Sequence, residues 1–431
     1  MSGFRIIHGG GSTRLTSGGI RCEYSSPTLD DLVITDSEVS YYGGIGAIYS
    51  SLLLTNSIIE SNTVLSSGGA LGLTWPGSAE IRDCVFSNTA GGGYGGGAVV
   101  HNTAAYFENV HFVGNSAGVA GGALQCEDSA ITLTHCYFIN NEARDGGAIA
   151  MRGTTLTLQD CTFIGNYATR WGGALYYDEL GDPSGGLVEN CDFKGNRANA
   201  GSAILVHELG SPTLRGLTIV GNFGTAIDCL YGTVVSIENC LIANNYLAYG
   251  ISIVDTDGVS VSCCDVWGNE GGNYGGMLED QTGLNGNISE DPLLCDPNYD
   301  TLGVAEDSPC LPPNNACGVL MGNHGAECTL TAVGAPAPPG VTLEANYPNP
   351  FNPSTTIPFS LASASAITLS IHDLSGRLVC FLSAQRHVPA GRHELRWDGR
   401  NSAGQPAPSG VYFYRLETAQ GATARPMLLV K

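Results

Sequence analysis

Residues 136–174 read CYFINNEARDGGAIAMRGTTLTLQDCTFIGNYATRWGGA, and this stretch writes one motif twice. Cys136-Tyr-Phe-Ile-Asn-Asn141 and Asp-Gly-Gly-Ala148 return as Cys161-Thr-Phe-Ile-Gly-Asn166 and Trp-Gly-Gly-Ala174, with Thr155-Leu-Thr-Leu158 between them. Apolar and polar residues alternate with period two, the spacing of strands, and no sustained 3.6 spacing of a helix appears. The Asn, Asp and Gly between the short strands tolerate the left-handed backbone that sharp corners need.

The repeat extends in both directions from this pair. Gly-Gly-Ala recurs at 68–70, 96–98, 121–123, 146–148 and 172–174, with Gly201-Ser-Ala203 as a variant. An asparagine ladder keeps step: Asn62, Asn88, Asn115, Asn141, Asn166, Asn196, Asn222, Asn245 and Asn269. So does a cysteine ladder of Cys84, Cys136, Cys161, Cys191, Cys240 and Cys264, with Ser57, Val110 and Leu217 on the missing rungs. The residue before each of these rungs is usually Asn or Asp. A unit of about 25 residues with three strands and three corners is one coil of a parallel β-helix. Such a coil cannot bury its inward side chains alone, but stacked coils share one core. The expectation is an all-β chain: a right-handed parallel β-helix of the pectin-lyase-like kind, with about nine or ten coils, and then a second domain. Inside the coils, Cys and the aromatic or aliphatic residue two positions later should stack on their equivalents. The asparagines should sit at corners and bond from coil to coil.

Composition narrows the function. Of 431 residues only 13% are charged, 60 are Gly, and the net charge is −22. Lys194 and Lys431 are the only lysines and no basic cluster exists, which argues against nucleic acid and anionic membranes as partners. No run approaches the roughly 20 apolar residues of a membrane span. The start, Met1-Ser-Gly-Phe-Arg-Ile-Ile-His8, lacks the charged and apolar regions of a signal peptide, and residues 4–34 already read as repeat. The expectation is a truncated N-terminus that has lost its export signal.

The fifteen cysteines divide in two. The ladder thiols read as small buried hydrophobes, reduced and stacked. Cys295, Cys310, Cys317 and Cys328 follow the repeat in a Pro- and Asn-rich segment, where a short cap needs staples, and two disulfides are expected. Three connectivities are open; Cys310–Cys317 with Cys295–Cys328 is the working choice. The domains are then a β-helix over 1–290, a cysteine-containing C-terminal cap over 291–328, a Pro/Ala linker over 329–346 and an Ig-like domain over 347–431. In that domain, alternating strands at 355–361, 367–373, 378–382, 393–397, 411–417 and 425–430 predict a β-sandwich.

Two resemblances sharpen this. Paired Gly-Gly-Ala-(Ile/Leu/Val) and Phe-x-x-Asn motifs, as in Phe112-Val-Gly-Asn115 and Phe138-Ile-Asn-Asn141, resemble the polymorphic outer-membrane protein repeat over residues 43–270, though no autotransporter barrel follows. That family implies a β-helical passenger on a cell surface, often adhesive. The motif Tyr347, Pro348, Asn349, Pro350, Phe351, Asn352, Pro353, with Leu374-Ser-Gly-Arg377, Trp397-Asp-Gly-Arg400, Ser409-Gly-Val-Tyr412 and the terminal Lys431, resembles the type A sorting domain of type IX secretion cargo. That domain is related to the Ig-like domain of flagellar hook-capping proteins. It implies the type IX secretion machinery as partner, and a secreted protein or one displayed on a bacterial outer surface.

Candidate chemistry is sparse. Polysaccharide lyases and glycoside hydrolases on β-helices need clustered carboxylates with Arg or Lys nearby. Here Glu127, Asp128, Asp178, Glu179, Asp182, Glu189 and Asp192 are scattered over corners and loops. No catalytic residue and no cofactor is assigned; Glu127, Asp128 and the 178–182 loop are candidates for Ca²⁺. Tyr42, Tyr94, Trp171 and Tyr249 each fall just before a Gly corner and should line one edge. Rings there either stack on sugars or pack over neighbouring glycines. The functional expectation is non-catalytic adhesion or recognition of a polysaccharide or host surface. A polysaccharide lyase or hydrolase is the alternative enzyme reading, and a structural surface-layer protein a third.

Overall fold

The computed structural model describes all residues except 10–16, 76, 179–184, 297, 298, 300, 329–340, 345, 349, 350, 352, 374–377, 403, 408, 409, 419, 420, 430 and 431. The chain forms two compact units, Met1–Thr329 and Leu330–Lys431.

The first unit is a parallel β-solenoid. In the coil that decides the fold, Ile149–Arg152, Thr155–Gln159, Thr162–Ile164 and Tyr167–Trp171 are strands, and each pairs in parallel with its equivalent one coil away. Three sheets result, of 11, 20 and 6 strands. The 11-stranded sheet follows the Gly corner. The 20-stranded sheet holds two strand rows that meet at a bend, and the 6-stranded sheet closes the coil. Eleven strands in one sheet exceed the nine or ten coils expected. Beyond the coils marked by the asparagine ladder, one strand lies at each end: Ile20–Glu23, which pairs with Ile45–Ile48 without a Gly-Gly-Ala signature, and Gly272–Gly276, which pairs with Tyr249–Val254.

The corners follow local chemistry. Asn56, Asp83, Asn109, His135, Asp160, Asn190 and Asn239, each just before an inward rung, take φ of +50° to +56°. Among non-glycine residues, Asn and Asp are the types that accept this region most readily. The next side chain then points inward: Cys84, Cys136, Cys161, Cys191, Cys240 and Cys264 are buried and unpaired. Phe86, Phe112, Phe138, Phe163 and Phe193 form a continuous ring stack with centroids 4.7–5.2 Å apart.

The asparagine ladder is a buried polar spine. Nδ2 of Asn115 donates to Oδ1 of Asn141 (3.1 Å), and the pattern continues through Asn166, Asn196, Asn222, Asn245 and Asn269 at 2.8–3.0 Å. Two rungs differ from the sequence reading. Thr89, not Asn88, fills its rung: its backbone N–H donates to Asn115 Oδ1, while Asn88 turns the preceding corner at φ +51°. The Gly ladder also slips by one at its second copy. Ala98 pairs with Leu124 and Leu71, so the corner is Gly95-Gly96-Gly97, with Gly95 in the left-handed region like Gly121, Gly146 and Gly172. The run Gly91-Gly-Gly-Tyr-Gly-Gly-Gly97 hides that register in the sequence.

Residues 291–328 lie along the side of the coils rather than over their end. Val304, Leu311 and Met321 pack on the outward side chains Val220, Leu241 and Ala243. Gly322 N–H donates to Asn239 O, Asn323 N–H to Thr218 Oγ1, and His324 Nε2 lies 3.0 Å from both Asp192 oxygens. Cys295–Cys328 is a disulfide, but Cys310 is not paired with Cys317. Cys317 bonds Cys263, and the buried Cys310 thiol donates to Asp265 Oδ2 at 3.3 Å. The physical reason is the corner. Cys263 occupies the outward left-handed position before the inward rung Cys264, at φ +51°, and so presents its sulfur to this strap.

The second unit is an antiparallel sandwich of a three-stranded sheet (Val341–Leu343, Thr355–Leu361, Gly391–Trp397) and a four-stranded sheet (Leu378–Val388, Ser365–Asp373, Gly410–Thr418, Gly421–Leu429). Trp397, Tyr414, Phe351 and Phe359 are at its core.

Candidate functional site

The register places the functional side chains in three outward rows, each at a fixed offset from the first residue of the Gly corner. Six residues on stand Thr74, His101, Glu127, Arg152, Asp178 and His207, in register on successive coils. Four residues on stand Gly72, Val99, Gln125, Ala150, Tyr176 and Leu205. One residue before stand Tyr94, Ala120, Asp145, Trp171 and Ala200, joined by β-bridges. The middle row is the floor and the outer rows are the walls of a groove of about 490 Å³ along the helix axis. From His101 to His207 it crosses four coil steps, about 19 Å at the usual strand spacing.

The groove is built of paired charges. Arg170 grips the buried Asp145 bidentately, Nε to Oδ1 at 2.7 Å and Nη2 to Oδ2 at 2.6 Å, and Arg144 adds a third bond at 3.1 Å. Along the opposite wall, Arg152 Nη2 donates to Asp178 Oδ2 at 2.6 Å. Burial, with Asp178 beside it, pushes the Tyr176 phenol well above its usual range. Gln125 Oε1, Arg152 Nε and His207 Nδ1 are buried on this lining without a hydrogen-bond partner among the described residues. Buried polar atoms are rarely left so, and these three lie together on the groove lining.

The four candidate aromatics do not share one edge. Tyr94 and Trp171 are on the wall. Tyr42, one position later in its coil, also lines the groove and lies flat on a glycine, so that a Cβ on Gly72 would run into its ring. Tyr249 lies beyond the groove, over Gly275 in the same way. Trp171 already carries protein partners, the Arg170 guanidinium 3.7 Å above its ring and His207 stacked at 5.0 Å. Its indole orders the arginine rather than offering a bare face.

Of the calcium candidates, Glu127 shares its row with Arg152, Asp178 is ion-paired, Asp128 turns an exposed corner, and residues 179–182 lie outside the described residues. Among the described residues no group of three or more ligating side chains could hold a metal ion, and no helix is long and apolar enough to cross a membrane. A flatter depression of about 590 Å³ over the 20-stranded sheet is lined by Ser, Ala, Thr and Leu with Pro27 and Tyr106, and Glu80 is its only charged residue among those described.

Sequence reading missed the row from His101 to His207. It was present at a constant offset of six from Gly95, Gly121, Gly146, Gly172 and Gly201, but the slipped register at Gly96 broke the alignment.

In the second unit, the Tyr347 hydroxyl donates to Glu394 Oε1 at 2.9 Å, Pro348 O accepts from Thr355, and Phe351 packs on Trp397 at 5.5 Å. Pro353 lies at the surface against Gly399. Asn349, Pro350, Asn352 and Lys431 of the motif lie outside the described residues.

Known proteins bear on both units. A family model described as a right-handed β-helix region matches residues 16–182 and 180–290, and the FlgD Ig-like domain matches residues 352–422. No curated protein matches the chain. Among solved structures, dimeric latent PorU from Porphyromonas gingivalis is 22% identical over 25% of this chain and 10% of its own, with a TM-score of 0.19. PorZ from the same organism, described as an essential surface component of the type IX secretion system, is 21% identical over 22% of this chain and 12% of its own, with a TM-score of 0.16. The chain thus spans only a small part of either structure. With the β-helix model covering more than half of its length, the protein belongs to the right-handed β-helix family and carries a FlgD-type Ig-like domain at its C-terminal end.

Proposed function

We propose that this protein is a secreted or surface-displayed, non-catalytic β-helix that holds a carbohydrate chain in the groove. The observation that carries this reading is the groove itself, where carboxylate–guanidinium pairs at Asp145 and Asp178 and unpartnered buried polar atoms of Gln125, Arg152 and His207 are set out along one axis. Sugar hydroxyls both donate and accept, and Asp–Arg pairs offer both functions side by side. Export is assigned to the C-terminal domain, acting as a type A sorting signal for the type IX secretion machinery. The Tyr347–Pro353 motif and the FlgD-type match support that assignment. The likeness of the repeat to polymorphic outer-membrane protein passengers supports an adhesive role.

A glycan array with the intact chain tests the reading, with Glu127→Ala and Arg152→Ala as controls. Retention of at least one glycan class, lost in both variants, is expected; no retained glycan ends it. The alternative, a polysaccharide lyase or hydrolase, draws on the same carboxylates. Each groove Asp is neutralised by arginine, which suits binding better than proton transfer. Turnover of acidic polysaccharides, with or without calcium, would reverse that judgement.

A further inference from the structure

One corner row is explained neither by the core nor by turn chemistry. Seven residues on from the start of the Gly corner, just outside the His101–His207 wall, the chain turns through the left-handed region in coil after coil. At the middle of the groove this position holds residues suited to it, Asn102, Asp128 and Gly153. At its N-terminal end it holds Tyr24, Tyr49 and Trp75, with φ of +50°, +50° and +73°, and beyond its other end Tyr231, at +56°. A bulky aromatic in this region is strained, and such outliers cluster at functional sites.

The rings are also ordered and open to solvent. Tyr24 stacks on Tyr49 with centroids 4.9 Å apart and planes within 2°, Tyr49 on Trp75 at 5.6 Å and 12°, and Trp75 meets His101 edge-on at 5.8 Å. Tyr24 is 75% exposed, Tyr49 39% and Trp75 44%. His101 is itself groove wall, so the stack runs into the groove without a break. Tyr231 meets His207 edge-on at 5.5 Å at the opposite end.

We propose that these aromatics extend the groove into one track, and that the ligand is a linear polysaccharide long enough to leave the groove and lie along the Tyr24–Tyr49–Trp75 strip. This rests on the carbohydrate reading above and narrows it to an extended polymer. From Tyr24 to His207 the track covers seven coil steps, about 34 Å. The strip repeats once per coil, presenting apolar ring edges with hydroxyl and indole N–H tips, and so suits a chain of identical units lying along the axis.

The test is calorimetric titration of the intact chain with cello-oligosaccharides and oligogalacturonates, each as disaccharide and hexasaccharide. The variants are Tyr49→Asn and Trp75→Asn, since asparagine already turns this corner at Asn102 and should fold there. The hexasaccharide of one series is expected to bind at least tenfold more tightly than its disaccharide. Each variant should remove most of that advantage and leave disaccharide affinity unchanged. Variants that keep the length advantage overturn the strip's role while the groove reading stands. Binding of neither series by the intact protein overturns the extended-polymer proposal, while the glycan array decides the groove reading separately. Self-association of the intact chain that Trp75→Asn abolishes would make the strip a contact between copies, and also overturns the proposal.

Discussion

Asn166→Ala tests whether the buried polar spine holds the coils in register. The Asn166 amide makes four hydrogen bonds: Nδ2 donates to Phe138 O and Asn196 Oδ1, both at 2.9 Å, and Oδ1 accepts from the backbone and side-chain nitrogens of Asn141, both at 3.0 Å. Alanine removes all four and leaves the Asn141 backbone N–H buried without an acceptor. That orphaned donor costs roughly 1–3 kcal/mol and each other lost bond about 1 kcal/mol, giving on the order of 4 kcal/mol in all. At about 2 °C per kcal/mol for a unit of this size, the midpoint should fall by about 8 °C. The control is Asn140→Ala, one residue before the Asn141 rung of the adjacent coil, where the side chain is exposed and the backbone left-handed at φ +52°. There only corner strain of about 1 kcal/mol is added, so about 2 °C is expected. Thermal unfolding followed by circular dichroism measures both. Equal shifts would refute the spine as a source of stability.

Three further outcomes are expected. Gly147→Ala places a Cβ 2.2 Å from Gly173 O and should cost about 2 kcal/mol or more, whereas Gly195→Ala, with open space and φ +63°, should cost about 1 kcal/mol in chemical denaturation. Burial raises the Asp265 carboxyl to about 6, above its unfolded value. Stability from this group is therefore fully present below pH 4 and lost as pH rises through 6. Asp265→Asn should stabilise the protein at pH 7 by on the order of 2 kcal/mol and flatten the pH 4–6 slope; an unchanged slope refutes the assignment. Alkylation in denaturant without reductant should label eleven cysteines and spare Cys263, Cys295, Cys317 and Cys328, while the native protein reacts at few or none; peptide mapping that finds Cys310 blocked would contradict the pairing.

Most of the solenoid was legible because its cause is local and repeated. Cys161 and Phe163 face inward by period two, and Asp160 turns the corner before them, whichever coil they are in. Legibility failed where one residue type fills both sides of a boundary. Seven consecutive positions around Tyr94 hold six glycines, so nothing in the sequence distinguishes the corner at Gly95 from one at Gly96. That single slip concealed the groove wall, whose members share no chemistry with one another and only a place in the register. The strap was illegible for another reason: its contacts with Asp192, Thr218 and Asp265 span 45 to 132 residues and follow no period. Cys263 was not singled out because it stands beside a ladder cysteine and differs from it only in pointing outward.

Because each wall residue stands six positions after the start of a glycine corner, one coil contributes one rung, and it meets its neighbours through backbone pairing, the ring stack and the asparagine spine that every coil can continue. Duplicating a single coil between Gly146 and Trp171 would therefore lengthen the groove by one step and leave every other rung in place. Splicing whole coils in or out is thus a route by which an engineer can set the groove's length and the order of its side chains.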